Sequence, residues 1–227
     1  MIRPARLKGI FALASKLDIH QIPAGPLETN AFLVVVADTK QALLIDAPPE
    51  SHDAVMTIVR DHDVTVDTII LTHTHWDHIV DTNAFRVSLR APVHAHSKAD
   101  ARLARPGSAV MDLPYTIEPI TSDGHLDDGD EVAVGEQTFA VMHLPGHDPS
   151  HIVLYNVEAK VLLGGDVLFP GGHGRTDVPG ADQDTMLQSL ARLLELPDDV
   201  TVYPGHGQPT TIGAERGWMT EMTASVR

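Results

Sequence analysis

Thr72-His73-Thr74-His75-Trp76-Asp77-His78 places four metal-capable side chains within six positions, directly after the apolar run Thr68 to Leu71. In extended backbone side chains alternate, so His73, His75 and Asp77 share one face and His78 points away unless the backbone turns. Asp is a good N-cap residue, and a turn into helix at Asp77 brings His78 round to a separate position. The stretch therefore predicts a strand ending in a loop that offers side chains to two neighbouring metal sites.

Imidazole and carboxylate groups without sulfur suit zinc, manganese or iron, and the chain has no cysteine. That absence also removes disulfides and thiol nucleophiles, and it says little about redox compartment. One short cluster cannot close two sites, so further ligands have to come from later strand ends. His147 lies in Leu144-Pro145-Gly146-His147-Asp148-Pro149-Ser150-His151, Asp166 in Leu163-Gly164-Gly165-Asp166, and His206 in Tyr203-Pro204-Gly205-His206-Gly207. Each follows an apolar run and is flanked by glycine, so its side chain can project from a tight loop. His151 reads as a structural hydrogen-bonding residue. His94, His96, His125 and His173 read as surface or core histidines, with His173 near the site entrance, and Trp76 reads as packing.

Short β-branched or aliphatic runs bounded by turn formers predict strands at Leu17 to Ile22, Ala31 to Val36, Ala42 to Ile45 and Thr68 to Leu71. Later strands are expected at Glu131 to Val134, Thr138 to His143, His151 to Tyr155, Val161 to Leu163 and Val200 to Tyr203. Ser51 to His62 has helical spacing, with Ser51 as N-cap and Ala54, Val55, Ile58 and Val59 on one face. Asp81 to Arg90 is a second helix, and Asp182 to Leu196 a third, carrying Met186, Leu187, Leu190, Leu193 and Leu194 as a stripe with Pro197 as its stop. Strands and helices in both halves suit two packed sheets with helices outside, although periodicity alone does not choose among α/β arrangements.

The 227 residues fit one large domain, and 43% apolar with 21% charged residues is ordinary for a globular chain. A formal charge of −15, from 31 acidic and 16 basic residues, opposes a nucleic-acid or anionic membrane partner in the absence of a basic patch. No apolar run approaches the roughly 20 residues needed to cross a bilayer. Met1 to Ser15, with Arg3, Arg6 and Lys8 before Gly9 to Ala14, faintly mimics a secretory signal. Its apolar stretch sits at the short limit of roughly 7 to 15 residues for such segments, and the chain is read as cytoplasmic.

The His-x-His-x-Asp-His loop, the later Pro-Gly-His, the Gly-Asp and the terminal Gly-His together resemble the metallo-β-lactamase superfamily, from about Leu17 to Trp218. The resemblance implies a four-layer αββα sandwich of two mixed β-sheets with outer helices. It also implies two divalent cations, zinc first, with iron or manganese as alternatives. Carried over by motif, His73, His75 and His147 hold one cation and Asp77, His78 and His206 the other, with Asp166 bridging. Asp77 and Asp166 thereby belong to the catalytic centre. Asp46, closing Ala42 to Ile45, is expected to accept a hydrogen bond from a ligand imidazole.

Gly174-Arg175-Thr176-Asp177-Val178-Pro179-Gly180-Ala181-Asp182 and Pro204 to Gly213 are similar to the short bacterial glyoxalase II-like branch, the hydroxyacylglutathione hydrolase-like proteins. Arg175 stands where those enzymes carry a basic residue that contacts the thiol carrier, which implies substrate binding. The sequence ends 21 residues after His206, so the expectation is one domain over 1–227 without the C-terminal helical domain of longer glyoxalase II enzymes. The thiol carrier is left open.

The implied reaction is hydrolysis of an S-acyl, 2-hydroxyacyl thiol conjugate by a metal-bridging hydroxide. A thiolate, whose conjugate acid has a pKa near about 8.5, departs without a strong general acid. The expected partner is this small thioester, and the chain is expected to be a monomer or homodimer. Persulfide dioxygenases are the main alternative, because they resemble this fold and the Gly-Arg-Thr-Asp stretch while using a single iron. A lactonase or β-lactamase is a further alternative. The lack of cysteine argues against lactamases with a thiolate ligand, and Asp166 against the group lacking a bridging carboxylate. A nuclease of this superfamily is disfavoured by the acidity and the lack of an RNA-binding module.

Overall fold

In the computed structural model, which describes residues 16–106, 113 and 115–226, two six-stranded sheets carry the chain in sequence order. The signal-like stretch Met1 to Ser15 lies outside the described residues. The first sheet consists of β1 (Leu17–Ala24), β2 (Thr29–Val36), β3 (Gln41–Ile45), β4 (Thr65–Ile70), β5 (Val93–Ala95) and β6 (Gly124–His125), paired in that order. The pairs β1–β2 and β2–β3 are antiparallel and the remaining pairs parallel. The second sheet contains β7 (Glu131–Val134), β8 (Gln137–His143), β9 (Ile152–Asn156), β10 (Val161–Gly165), β11 (Thr201–Pro204) and β12 (Thr210–Thr211). There only β10 and β11 run parallel.

The helices are α1 (His52–Asp61), α2 (Thr82–Leu89), α3 (Asp100–Leu103), α4 (Gln183–Leu193) and α5 (Ile212–Met222). Three apolar cores separate four layers. Along β2, Ala31, Leu33 and Val35 pack with Val55 and Phe85 from α1 and α2. The alternate residues Phe32, Val34 and Val36 pack against Phe139, Val141, Ile152 and Leu154 of the second sheet. Val153, Tyr155, Leu162 and Val202 face Met186, Leu190 and Leu193 of α4 and Met219 of α5. The fold is thus the expected αββα sandwich of mixed sheets. Every residue of β2 is buried, because a strand covered on both faces has no solvent side for polar residues. Fully burying each such aliphatic side chain stabilises the fold by about 1.5–3 kcal/mol.

Local departures have local causes. Ser51 does not cap α1 with its hydroxyl; that group donates to Pro48 O at 2.6 Å. Asp81 instead accepts the backbone N–H groups of Ser51 and His52 at 3.0 and 3.1 Å. Ala54 is exposed, and Met56 joins Ile58 and Val59 in contact with the core. Strands β5, β6 and β12 and helices α3 and α5 lie outside the elements expected from sequence. The strands span only two or three residues, and α5 contains Gly213 and Gly217, which weaken helical propensity.

Strands β3, β4, β10 and β11 end at one rim of the sandwich, where the sheets are stitched together. There Ile152 N–H donates to Thr72 O at 2.9 Å and Asn30 N–H to Gly205 O at 2.7 Å, while within the first sheet's own loops Ala47 N–H donates to His78 O at 2.8 Å.

Candidate metal centre

Beyond β4 the chain turns through a single 3-10 turn, Trp76–His78, entered from an extended His75. Asp77 sits inside that turn and does not cap a helix. The turn starts two residues earlier than expected, with His75 and not Asp77 at its N-cap, and still swings His78 to a different position from His73 and His75. His147 comes from the loop between β8 and β9, Asp166 from the end of β10, and His206 from beyond β11.

The structure gathers all seven expected side chains. Three groups have donor atoms within 4.8 Å of one another: His73, His75 and His147; His73, His78 and Asp166; and Asp77, His78 and His206. Asp166 lies between the outer two groups. Its Oδ2 is 3.4 Å from His147 Nε2 and 3.5 Å from His206 Nε2, and its Oδ1 is 3.4 Å from His78 Nε2. Asp77 Oδ2 stands 3.5 Å from His78 Nε2 and 3.3 Å from His206 Nε2.

Four buried atoms facing this space have no hydrogen-bond partner: Nε2 of His73, His78 and His147, and Oδ1 of Asp166. A buried unsatisfied polar atom costs about 1–3 kcal/mol, so four in one place mark a position built for a ligand. Nitrogen and oxygen donors in this arrangement fit two neighbouring divalent cations. Gly205 keeps the space open, because a Cβ there would overlap Asp166 Oδ1 and crowd His78 Cε1.

The far nitrogen of each ring fixes its tautomer. His78 Nδ1–H donates to Asp46 Oδ2 at 2.8 Å, the position expected of Asp46. Asp46 also accepts from Thr72 N–H at 2.7 Å and Thr72 Oγ1 at 2.8 Å. With its proton committed to Asp46, the Thr72 hydroxyl accepts from His73 Nδ1–H at 3.0 Å. His147 Nδ1–H donates to Arg175 O at 2.8 Å and His206 Nδ1–H to Leu27 O at 3.0 Å. Each of these four rings therefore turns Nε2 toward the common space, where a cation would displace any proton held there. His151 Nε2 accepts from Asp166 N–H at 2.9 Å, the structural role expected of it.

Burial and its histidine neighbours push His75 down to about 4, and burial with the neighbouring His147 pushes His151 down to about 3, so both rings stay neutral. Burial alone would raise the Asp77 carboxyl, but His78 and the hydrogen bonds from His206 and Thr29 hold it at about 2. For His206 burial works downward, and the hydrogen bonds to Asp166 and Asp77 outweigh it, lifting the ring to about 9. The centre thus pairs anionic carboxylates with basic rings, which is the donor chemistry cations require.

A pocket of about 590 Å³ opens over the centre, with Leu27, Trp76, Phe169, Val178 and Pro179 as its apolar lining and Arg102, Arg105 and Arg175 as its cationic lining. Arg175, expected from the sequence to contact substrate, is among the residues lining the pocket, and its guanidinium is held by Asp177 through bonds of 2.8 and 2.9 Å. His173 also lines it. Trp76 stacks on Tyr115 at 5.8 Å. Elsewhere His96 stacks on His143 at 3.9 Å, and His125 contacts Asp100. Thr29, Arg102 and Arg105 carry no motif, and only the fold brings them here; Thr74 lies inside the histidine motif but was given no role in it. Asp148 had one local signal, its place directly after His147.

A sequence model of the metallo-beta-lactamase superfamily matches residues 24–206. The probable metallo-hydrolase YqgX of Bacillus subtilis is 34% identical over 204 residues, covering 87% of this chain and 93% of that protein. The hydroxyacylglutathione hydrolase GloC of Haemophilus influenzae is 33% identical, covering 88% and 95%. Among solved structures, the BLEG-1 B3 metallo-beta-lactamase superposes with a TM-score of 0.82 at 34% identity, covering 89% of this chain and all of that one. TTHA1623 in a di-iron-bound form superposes with a TM-score of 0.77 at 33% identity, covering 87% and 97%.

Proposed function

Because the chain belongs to the metallo-β-lactamase superfamily, we propose that it is a metal-dependent hydrolase and, within that class, a thioesterase of the hydroxyacylglutathione hydrolase type. The observation that carries the reading is the convergence of His73, His75 and His147 with Asp77, His78 and His206 around Asp166, with Nε2 of His73, His78 and His147 and Oδ1 of Asp166 buried without a protein partner. When bound by these residues, two divalent cations supply Lewis-acid polarisation of a carbonyl and a water acidified to a pKa of about 7. Zinc is the first choice, with iron or manganese compatible with the same donors; the di-iron form of TTHA1623 supports that range.

The chain's own residues do the rest. Asp46, Arg175 O and Leu27 O aim His78, His147 and His206, and Thr29 donates to Asp77 at 2.8 Å. The apolar lining of the pocket would receive an acyl chain, and Arg175, which lines the same pocket, is the residue that the resemblance assigns to the thiol carrier. Among the described residues lining the pocket, Asp77 and Asp166 are the only carboxylates, and both face the cation site. No spare carboxylic acid waits for the leaving group, which suits a thiolate better than an amide nitrogen. The likeness to GloC supports the same reading.

The test is a substrate panel on the purified protein: S-lactoylglutathione, a cephalosporin, and glutathione persulfide with oxygen uptake recorded. The expected result is thioester hydrolysis that a chelator removes and added zinc restores, with turnover abolished in His147→Ala and Asp166→Ala. Oxygen consumption with the thioester untouched would replace this reading with a persulfide-oxidising one. Cleavage of the cephalosporin alone would replace it with a β-lactamase.

A further inference from the structure

We propose that Arg102 is a positioning residue for the His73, His75 and His147 triad, acting through the buried carboxylate of Asp148. The proposal rests on the two-cation reading and adds to it a residue far from any ligand in the chain.

Asp148 is completely buried, and a lone carboxylate taken out of water is costly unless it is paired and hydrogen-bonded. Its Oδ1 accepts from Ser150 N–H at 2.7 Å and Ser150 Oγ at 2.6 Å. Its Oδ2 accepts from Thr74 Oγ1 at 2.6 Å and from Arg102 Nη1 at 2.9 Å. Thr74 stands between His73 and His75, and Asp148 directly follows His147. One oxygen atom therefore ties together the two loops that supply the whole triad.

Arg102 extends the tie to a third loop. From the end of α3 its Nη2 donates to Pro179 O at 2.9 Å. The same loop supplies Arg175 O, which accepts from His147 Nδ1–H. The loop is shaped for the guanidinium: Gly180 has φ +90°, and a Cβ there would overlap Arg102 Nη2. A planar fork reaching two acceptors at once is what Arg offers and Lys does not. Arg102 thus neutralises Asp148 and closes the ring of loops around the first cation position, and it leaves the second triad, Asp77, His78 and His206, untouched.

The test compares cation binding by the full chain and its variants, with zinc titrated against a competing chelator and cobalt followed by its visible absorption. Wild type is expected to hold two cations; fewer than two would remove the two-cation reading itself and not merely the clamp. Arg102→Met is expected to bind the triad cation roughly 10- to 100-fold more weakly, the usual effect of losing an outer partner. Its second cation should keep wild-type affinity, whereas a general loss of structure would weaken both. Arg102→Met combined with Asp148→Asn is expected to recover part of the loss, because a neutral amide needs no cationic partner while the tie to Pro179 stays broken. Wild-type affinity for both cations in Arg102→Met, or a double variant no better than the single, would overturn the proposal. If Arg102→Met does not fold, Arg102→Lys decides: a severalfold weaker triad cation supports the clamp, and unchanged affinity overturns it.

Discussion

At Asp46 a single carboxylate serves the Thr72 backbone, the Thr72 hydroxyl and the His78 ring, and it does so from a left-handed backbone with φ 60°. Asp is among the few non-glycine residues that adopt this conformation readily. The hydroxyl of Thr72 passes the arrangement on to His73, so one side chain orients a donor from each triad. Asp46→Ala is therefore expected to lower cation affinity about 10- to 100-fold, measured by zinc titration against a chelator. Wild-type affinity in that variant would mean that packing alone aims the rings. Asp46 was partly legible from its place at a strand end. Arg102 was not, because its partners lie 46 and 77 residues away and leave no local pattern.

Each proposed ligand leaves a strand end or the loop just beyond it, and that much was legible because an apolar run followed by glycine or a turn residue has few other readings. The strands with both faces covered stood out as unbroken aliphatic runs. Helix α5 did not, since Gly213 and Gly217 blur its pattern, although Thr211 caps it by accepting from Ala214 N–H at 3.1 Å. Its Glu215 fastens the helix to the loop after β10, accepting from Gly171 N–H at 2.7 Å, Trp218 Nε1 at 2.6 Å and Thr210 Oγ1. Burial alone would raise this carboxyl, and the hydrogen bonds from Thr210, Trp218 and Gly171 outweigh it, so its folded value lies below the ordinary one. Its stabilisation is then complete above the unfolded pKa of about 4.3 and is lost as pH falls through the folded value. Glu215→Gln should cost about 1.5–3 kcal/mol at pH 7. In urea unfolding series at several pH values, the gap from wild type should narrow as pH drops below about 4. A gap that stays constant would assign the effect to shape and not to charge.

Across the whole molecule, three cores hold two sheets and their helices in register, and the rim where β3, β4, β10 and β11 end carries the centre. Among the described residues no helix is long and apolar enough to cross a membrane. The net charge of −15 suits an acidic protein whose carboxylates partly serve bound cations, which would offset some of that charge. Layer order could not be read from periodicity, because the same alternation serves several α/β arrangements; the ligand motifs supplied it through family resemblance. The proposal stands on seven side chains from four chain segments forming one two-cation site. Elemental analysis of the purified protein by mass spectrometry, after zinc loading and removal of free metal, tests it most directly. Two cations per chain are expected in wild type and fewer in Asp166→Ala; a wild-type chain that retains one cation or none would rule the two-cation site out.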